Sequence, residues 1–134
     1  VGLHVKKNGK LPSNENISEV VEKCKNKNWL GIILACVSPE IIEKTIDEVK
    51  QLDIPFGYKA NLWKTEEPVP VHKFASPSDE IGTDPAKVMG TREDYTDIMF
   101  LEFSKKMISK GATILGGCCE TKPSHINKIS SLKN

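Results

Sequence analysis

The sequence has little arginine, no long hydrophobic segment and no excess of either charge. Arg92 is the only arginine among 19 basic residues, which face 18 acidic residues and leave a formal net charge of +1. Arginine suits phosphates and base edges better than lysine does, and a basic surface is the general mark of nucleic-acid binding. The composition therefore argues against a nucleic-acid partner. The longest uncharged apolar run, residues 29–39, is too short to span a bilayer. With no signal-peptide pattern at the N-terminus, we expect a cytoplasmic protein without a membrane partner.

The sequence also lacks the CxxC pairs that are typical of structural zinc sites. Its four cysteines are Cys24, Cys36, Cys118 and Cys119, with 81 residues between Cys36 and Cys118. In a reducing compartment such a set more often indicates a metal site or catalysis than disulfides. A disulfide between the adjacent pair is disfavoured, because neighbouring Cα atoms stand about 3.8 Å apart, below the usual range of roughly 4.4 to 6.8 Å.

Apolar runs and helical patterns alternate four times along the chain. We predict strands at residues 1–5, 30–37, 54–62 and 112–119, and helices at residues 14–27, 39–52, 95–109 and 123–132. This alternation is typical of parallel βαβ units, which defines an α/β fold. A segment rich in Pro, Glu, Asp and Ser, residues 64–91, lies between the third strand and its helix, where functional loops occur in barrels.

The length of 134 residues suits one modest domain but not a complete (β/α)8 barrel, which needs about 250 residues. Four βα units make half a barrel or a small open sheet. Half a barrel leaves two sheet edges unpaired, and exposed apolar edges invite association. We therefore expect either a missing half upstream of Val1 or pairing with another copy, and favour truncation, with a homo-oligomer left open.

Three of the cysteines end predicted strands. Cys36 ends the second strand and the Cys118–Cys119 pair ends the fourth, so the three sulfurs could converge at the rim where barrel active sites assemble. We expect Gly116 and Gly117 to let the backbone leave extended geometry there. Three thiolates suit Zn²⁺ with an open fourth position for an exogenous thiol. The alternative interpretation is three buried apolar cysteines.

Several segments resemble one known family. Residues 116–126, GGCCETKPSHI, resemble the GGCC…P-x-H-I signature of the homocysteine S-methyltransferase family. Residues 36–40 (CVSPE) are similar to its Asn-Cys-x-x-Pro-Glu segment, residues 56–61 to its FGxYANxF strand, and residues 6–10 to the segment that opens its C-terminal half. The resemblance covers essentially the whole chain.

The resemblance implies that residues 1–134 form the C-terminal half of a homocysteine-binding (β/α)8 TIM barrel, with the strands numbered five to eight. It implies that Cys36, Cys118 and Cys119 bind Zn²⁺. The implied activity is a methyltransferase reaction in methionine biosynthesis: a methyl group passes from a small donor to the thiolate of homocysteine to give methionine. No catalytic residue beyond the metal site is required. By resemblance, much of the substrate and donor sites lies in the other half, so this chain alone is expected to be inactive.

Two residues near the cysteines are candidates for binding substrate. Asn61 ends the third strand at the same rim, although a turn-stabilising role is equally plausible. Glu120 replaces a glycine that is common in the family and could contact a ligand's ammonium group or cap a helix. A second departure is Ala35, which stands where the family has asparagine and puts one hydrogen bond near the metal in doubt.

The remaining candidates have weaker support. His125 could orient a metal ligand or bind an anion at a helix N-terminus, or simply pack in the core. Cys24 is expected in the core, and His4 and His72 have no informative context. Trp29 and Trp63 are expected to pack, although an aromatic cage would suit a betaine-like donor.

Two other functions stay open at this level. One is an inactive barrel fragment or pseudoenzyme with a structural zinc or no metal. The other is a thiol redox module, which the geometry of an adjacent cysteine pair disfavours.

Overall fold

The computed structural model describes residues 1–24, 27–64, 86 and 89–133. Strands and helices alternate along the described chain. The elements are β1 (Gly2–Leu3), α1 (Ile17–Cys24), β2 (Ile32–Val37), α2 (Pro39–Lys50), β3 (Phe56–Ala60), α3 (Asp97–Ser109), β4 (Ile114–Gly117) and α4 (Pro123–Ser130). The four strands form one sheet in the order β1-β2-β3-β4, and every pair is parallel. The predicted α/β class and the four βα units are thereby confirmed.

The first unit is shorter than the sequence predicts. β1 has two residues instead of five, because the chain turns at once: the Lys6 N–H donates to the carbonyl of Lys10 at 2.8 Å. α1 begins at Ile17 rather than at residue 14, and Asn14 has a left-handed backbone (φ 71°). A turn closed by the hydrogen bond from the Asn14 N–H to the carbonyl of Leu11 therefore precedes the helix.

One face of the sheet is packed against helices. Leu34, Tyr58 and Leu115 lie in register on this face, and Leu34 and Tyr58 are fully buried. The ring of Tyr58 meets Phe103 of α3 edge-on, with 4.8 Å between centroids. The side chains of β2 that point to the opposite face, among them Ile33, are only half-buried. Within the described residues, only one face of β2 is therefore fully covered.

The helices begin and end largely as their sequence signals predict. Ser38 caps α2 by accepting a hydrogen bond from the Ile41 N–H at 3.4 Å, and Pro39 is the first helical residue. After α3, Gly111 adopts φ 102°, the left-handed conformation that commonly ends a helix. α2 lies against β2 and β3 and buries a row of apolar side chains, namely Ile41, Ile42, Ile46 and Val49.

The long segment between β3 and α3 has paired ends. Trp63 and Thr91 form an antiparallel bridge, and the Arg92 N–H donates to the carbonyl of Leu62 at 2.9 Å. This pairing brings Thr91 and Arg92 to the carboxyl ends of the strands. Most of the segment, including His72 and the acidic residues 66–84, lies outside the described residues. In the part of the chain that the structure describes, no helix is long and apolar enough to cross a bilayer.

Candidate metal centre

Cys36 lies at an irregularity in β2. The pairing of β2 with β3 shifts register between Ala35 and Val37, and Cys36 has a left-handed backbone with φ 57°. Such a bulge re-aims a side chain at the end of a strand. The carbonyl of Cys36 accepts a hydrogen bond from the side-chain amide of Asn61 at 2.7 Å. The sulfur therefore does not follow the alternation of a regular strand.

Cys118 and Cys119 follow directly after β4 and lie in a turn. The Cys118 N–H donates to the carbonyl of Ala60 at 2.7 Å, and the Thr121 N–H donates back to the carbonyl of Cys118 at 3.1 Å. Glu120 completes the turn with φ 61°. This left-handed position explains physically why glycine would suit residue 120.

The sequence predicted that the two glycines before the cysteine pair let the backbone leave extended geometry, and this is wrong. Gly116 and Gly117 both lie within β4, and neither has a positive φ. Gly117 instead supplies space: a Cβ atom there would stand 2.2 Å from the Thr121 Cγ2 atom. The backbone leaves extended geometry after β4, at the cysteines and Glu120.

The structure brings the three sulfurs together. The Sγ atom of Cys119 lies 3.8 Å from those of both Cys36 and Cys118. All three sulfurs are within 4.8 Å of one another. Two sulfurs bound to one tetrahedral zinc at about 2.3 Å stand about 3.8 Å apart. Both distances from the Cys119 sulfur match this spacing, so the donor set suits a zinc ion. Cys36 and Cys118 are half-buried and Cys119 is exposed, so the cluster opens to the rim.

Proton affinities in the cluster favour a cation. Burial raises the pKa of Cys36 to about 12, and hydrogen bonding and negative charge from the other two cysteines add to it. Burial opposes ionisation of Cys118, but hydrogen bonds from Cys36 and Cys119 bring its pKa below the ordinary value. Burial and the charge of Cys118 raise the pKa of Cys119. Negative charge on Cys118 thus opposes ionisation of the other two cysteines, a repulsion that a divalent cation would remove.

The two candidate substrate residues have partners within the chain. Asn61 is buried, with 4% exposure. Its side-chain nitrogen donates to the carbonyl of Cys36, and its side-chain oxygen accepts from the Trp63 N–H at 3.3 Å. The half-buried carboxylate of Glu120 accepts a hydrogen bond from the Thr91 hydroxyl. Contacts with substrate stay a prediction for both residues.

The other sequence candidates have packing roles. His125 is buried: its Nδ1 accepts from the Lys122 N–H at 2.9 Å, and its Nε2 lies 3.1 Å from the carbonyl of Tyr95. It thus caps α4. Cys24, which the sequence predicted in the core, is only half-buried on α1. The Nδ1 of His4 lies 3.0 Å from the carbonyl of Ala35. Trp29 packs at the edge of the core.

Sequence reasoning missed two contacts of the site. The Trp63 side chain hydrogen-bonds Cys119, which favours the thiolate form of that cysteine by lowering its pKa against the larger effect of burial. Thr91 binds the carboxylate of Glu120 across the paired ends of the long segment. Trp63 lies two residues after a strand-end asparagine, a position that could have suggested a rim contact. Nothing in the sequence around Thr91 indicates its role.

Parallel strands that carry three converging thiols at their carboxyl ends define an α/β protein with a candidate thiolate metal centre. Comparison with known proteins identifies the family: the sequence model of the homocysteine S-methyltransferases matches residues 1–132. The chain belongs to the homocysteine S-methyltransferase family, which confirms the resemblance inferred from its motifs.

Two curated relatives show the extent of the match. The chain is 30% identical over 122 residues to homocysteine S-methyltransferase 1 of Arabidopsis thaliana, covering 90% of this chain and 33% of the relative. It is 28% identical over 120 residues to the protein of the same name from Brassica oleracea var. italica, covering 89% of this chain and 32% of the relative. The chain thus spans about a third of the length of the curated relatives that it matches.

Proposed function

We propose that the complete protein is a zinc-dependent methyltransferase that converts homocysteine to methionine. The observation that carries the proposal is the cluster of three sulfurs within 4.8 Å of one another. Two of their distances are at tetrahedral zinc spacing, and the family of the chain is named for homocysteine S-methylation. Cys36, Cys118 and Cys119 would hold the metal. Family membership supports the substrate, and the donor set supports the metal.

The chemistry requires an unprotonated sulfur at neutral pH. Zinc supplies it when bound, because a coordinated thiol loses its proton near neutral pH. Three protein thiolates leave one tetrahedral position free for the homocysteine sulfur. The exposed Cys119 marks the side from which homocysteine would enter.

Methyl transfer itself balances without a side-chain base. The homocysteine sulfur forms the new bond to the methyl carbon, the donor heteroatom leaves with the old bonding pair, and the thiol proton goes to solvent. Betaine-like compounds, S-methylmethionine and methylated cofactors are all candidate donors. We also propose that the protein acts in the cytoplasm and takes part in methionine biosynthesis.

We further propose that residues 1–134 form strands five to eight of a (β/α)8 TIM barrel. The parallel order β1-β2-β3-β4 is the order of consecutive barrel strands. In the described residues β4 has β3 as its only strand partner, and the groove at its open edge has a volume of about 630 Å³. Apolar side chains, among them Ile114 and Ile126, line the groove. A further βα unit pairing with β4 would cover them.

The test uses the complete natural protein. Zinc content and affinity are measured for the wild type and for Cys118→Ser, with Cys24→Ser as the control thiol outside the cluster. We expect one zinc per chain in the wild type and in Cys24→Ser. Loss of one of three thiolates should weaken zinc binding at least about 1,000-fold, or about 4 kcal/mol.

Turnover separates an enzyme from an inactive barrel with a structural zinc. Formation of methionine from homocysteine is followed with each of the three donor classes. We expect activity with one class, lost on zinc removal and in Cys118→Ser but retained in Cys24→Ser. A wild type that holds zinc yet gives no methionine with any donor would favour the inactive alternative.

A further inference from the structure

The backbone of Cys36 has a conformation that side-chain-bearing residues seldom adopt. Its φ of 57° is left-handed, and it sits within the register shift between Ala35 and Val37. Cysteine has no intrinsic preference for this region, so the surrounding structure must impose it. The direction of the Cys36 sulfur depends on whatever holds this bulge.

Asn61 contacts the bulge with both its backbone and its side chain. Its N–H donates to the carbonyl of Val37 at 2.9 Å, and its side-chain Nδ2 donates to the carbonyl of Cys36 at 2.7 Å. Its Oδ1 accepts from the Trp63 N–H at 3.3 Å, which fixes the orientation of the amide. The side chain is buried, so water does not readily replace these bonds.

The same short segment also holds the other two cysteines. The carbonyl of Ala60 accepts from the Cys118 N–H at 2.7 Å, and the Leu62 N–H donates to the carbonyl of Cys119 at 3.0 Å. Three consecutive residues, 60–62, therefore hydrogen-bond the backbones of all three cysteines. The first of them ends β3 and the other two follow it. Among these bonds, only the one to the Cys36 carbonyl comes from a side chain and can be removed by substitution.

We propose that Asn61 is a positioning residue that holds the left-handed backbone of Cys36 and so aims its sulfur at those of Cys118 and Cys119. This inference rests on the proposed metal site and adds a role that differs from substrate contact. Asparagine suits the position because it offers a donor to one backbone group and an acceptor to another at once. Aspartate keeps the size and the acceptor but turns the donor into a second acceptor facing a carbonyl.

The experiment compares Asn61→Asp and Asn61→Ala with the wild type in the complete natural protein. Zinc affinity is measured by competition with a chelator, and the cobalt-substituted protein reports the number of bound thiolates through its sulfur-to-cobalt absorption. We expect zinc binding to weaken roughly 10- to 100-fold. The thiolate absorption should fall toward that of a two-sulfur site as Cys36 is lost.

Tyr58→Phe is the matched control, because it also removes a buried hydrogen bond from β3. The Tyr58 hydroxyl lies 2.6 Å from that of Ser104 on the helix-packed face. We expect this variant to unfold at lower denaturant concentration while keeping wild-type zinc affinity and cobalt absorption. If both Asn61 variants keep wild-type affinity and the full three-thiolate absorption, the positioning role is wrong.

A metal-free readout distinguishes this inference from the proposed function. If the wild type binds neither zinc nor cobalt, the proposed function fails. The positioning role is then read from binding of arsenite, whose trivalent arsenic can take three thiolates at once, to the metal-free protein. Weaker binding to Asn61→Asp than to the wild type supports the role, and equal binding overturns it.

Discussion

The helix-packed face of the sheet and its carboxyl rim are built in opposite ways. On the packed face, Leu34 and Tyr58 lie in regular register and are fully buried. At the rim, Cys36 and Glu120 have left-handed backbones, and β2 shifts its pairing. Regular strands alternate their side chains between two faces, so they cannot bring three sulfurs from two strand ends to one point. The irregular rim does so.

The difference indicates that stability and site geometry come from separate parts of the chain. Burial of apolar side chains between sheet and helices is the main stabilising contribution. At the rim, hydrogen bonds from the residues at and after the end of β3 hold the backbones of the cysteines. Substitutions on the packed face should therefore change the free energy of unfolding, and substitutions at the rim should change metal binding.

The largest expected effect is on the packed face. Ile46 of α2 is fully buried, and Ile46→Ala should lower the free energy of unfolding by about 2 to 5 kcal/mol, through lost burial and the cavity left behind. Denaturant unfolding of the metal-free protein measures it, with the exposed Lys44→Ala on the same helix as control. The folded variant should keep wild-type zinc affinity, and a large loss of affinity would show that the two regions are coupled.

An intermediate effect is expected where β4 meets the rim. A Cβ at Gly117 would overlap the Thr121 side chain, whereas at Gly116 the nearest atom would be 3.7 Å away. Gly117→Ala should cost about 1 to 3 kcal/mol of stability and weaken zinc binding, because the cysteine turn must shift. Gly116→Ala should leave zinc binding unchanged. Equal zinc affinity of the two variants would contradict this account of the glycine pair.

The smallest expected effect is alkaline destabilisation from the packed face. Burial raises the pKa of Tyr58 to about 12 from an ordinary value of about 10. The pKa of Tyr58 is higher in the folded than in the unfolded protein. The stability that this difference contributes is therefore complete below pH 10 and is lost as the pH rises from about 10 to 12. Two pKa units correspond to at most about 3 kcal/mol, of which about half, roughly 1.4 kcal/mol, is lost by pH 11. The free energy of unfolding is measured for the wild type and for Tyr58→Phe over this pH range. It should fall more for the wild type than for the variant, which has no hydroxyl to ionise at this position. A constant difference would contradict the assignment.

Much of the fold could be predicted from local patterns. The helices predicted at residues 39–52 and 95–109 lie within two residues of α2 and α3. Ser38 and Pro39 mark the start of α2 and Gly111 the end of α3, because caps and left-handed glycines act within a few residues. The two residues of β1 and the late start of α1 could not be predicted in this way. The chain turns soon after β1, and Asn14 has a left-handed backbone. The composition of these segments is compatible with a turn as well as with the predicted strand and helix.

The sequence by itself determined the α/β class, the family, and the identity of the three cysteines at strand ends, since residue types and their spacing are local properties. Only the tertiary structure decided that Cys36 is left-handed, that Gly117 leaves room for Thr121, and that Asn61 bonds the Cys36 carbonyl. Asn61 and Cys36 are far apart in the chain, and their distance is fixed when β2 and β3 pair. Gly117 and Thr121 are close in the chain, but the turn that brings them together is bonded to Ala60 at the end of β3.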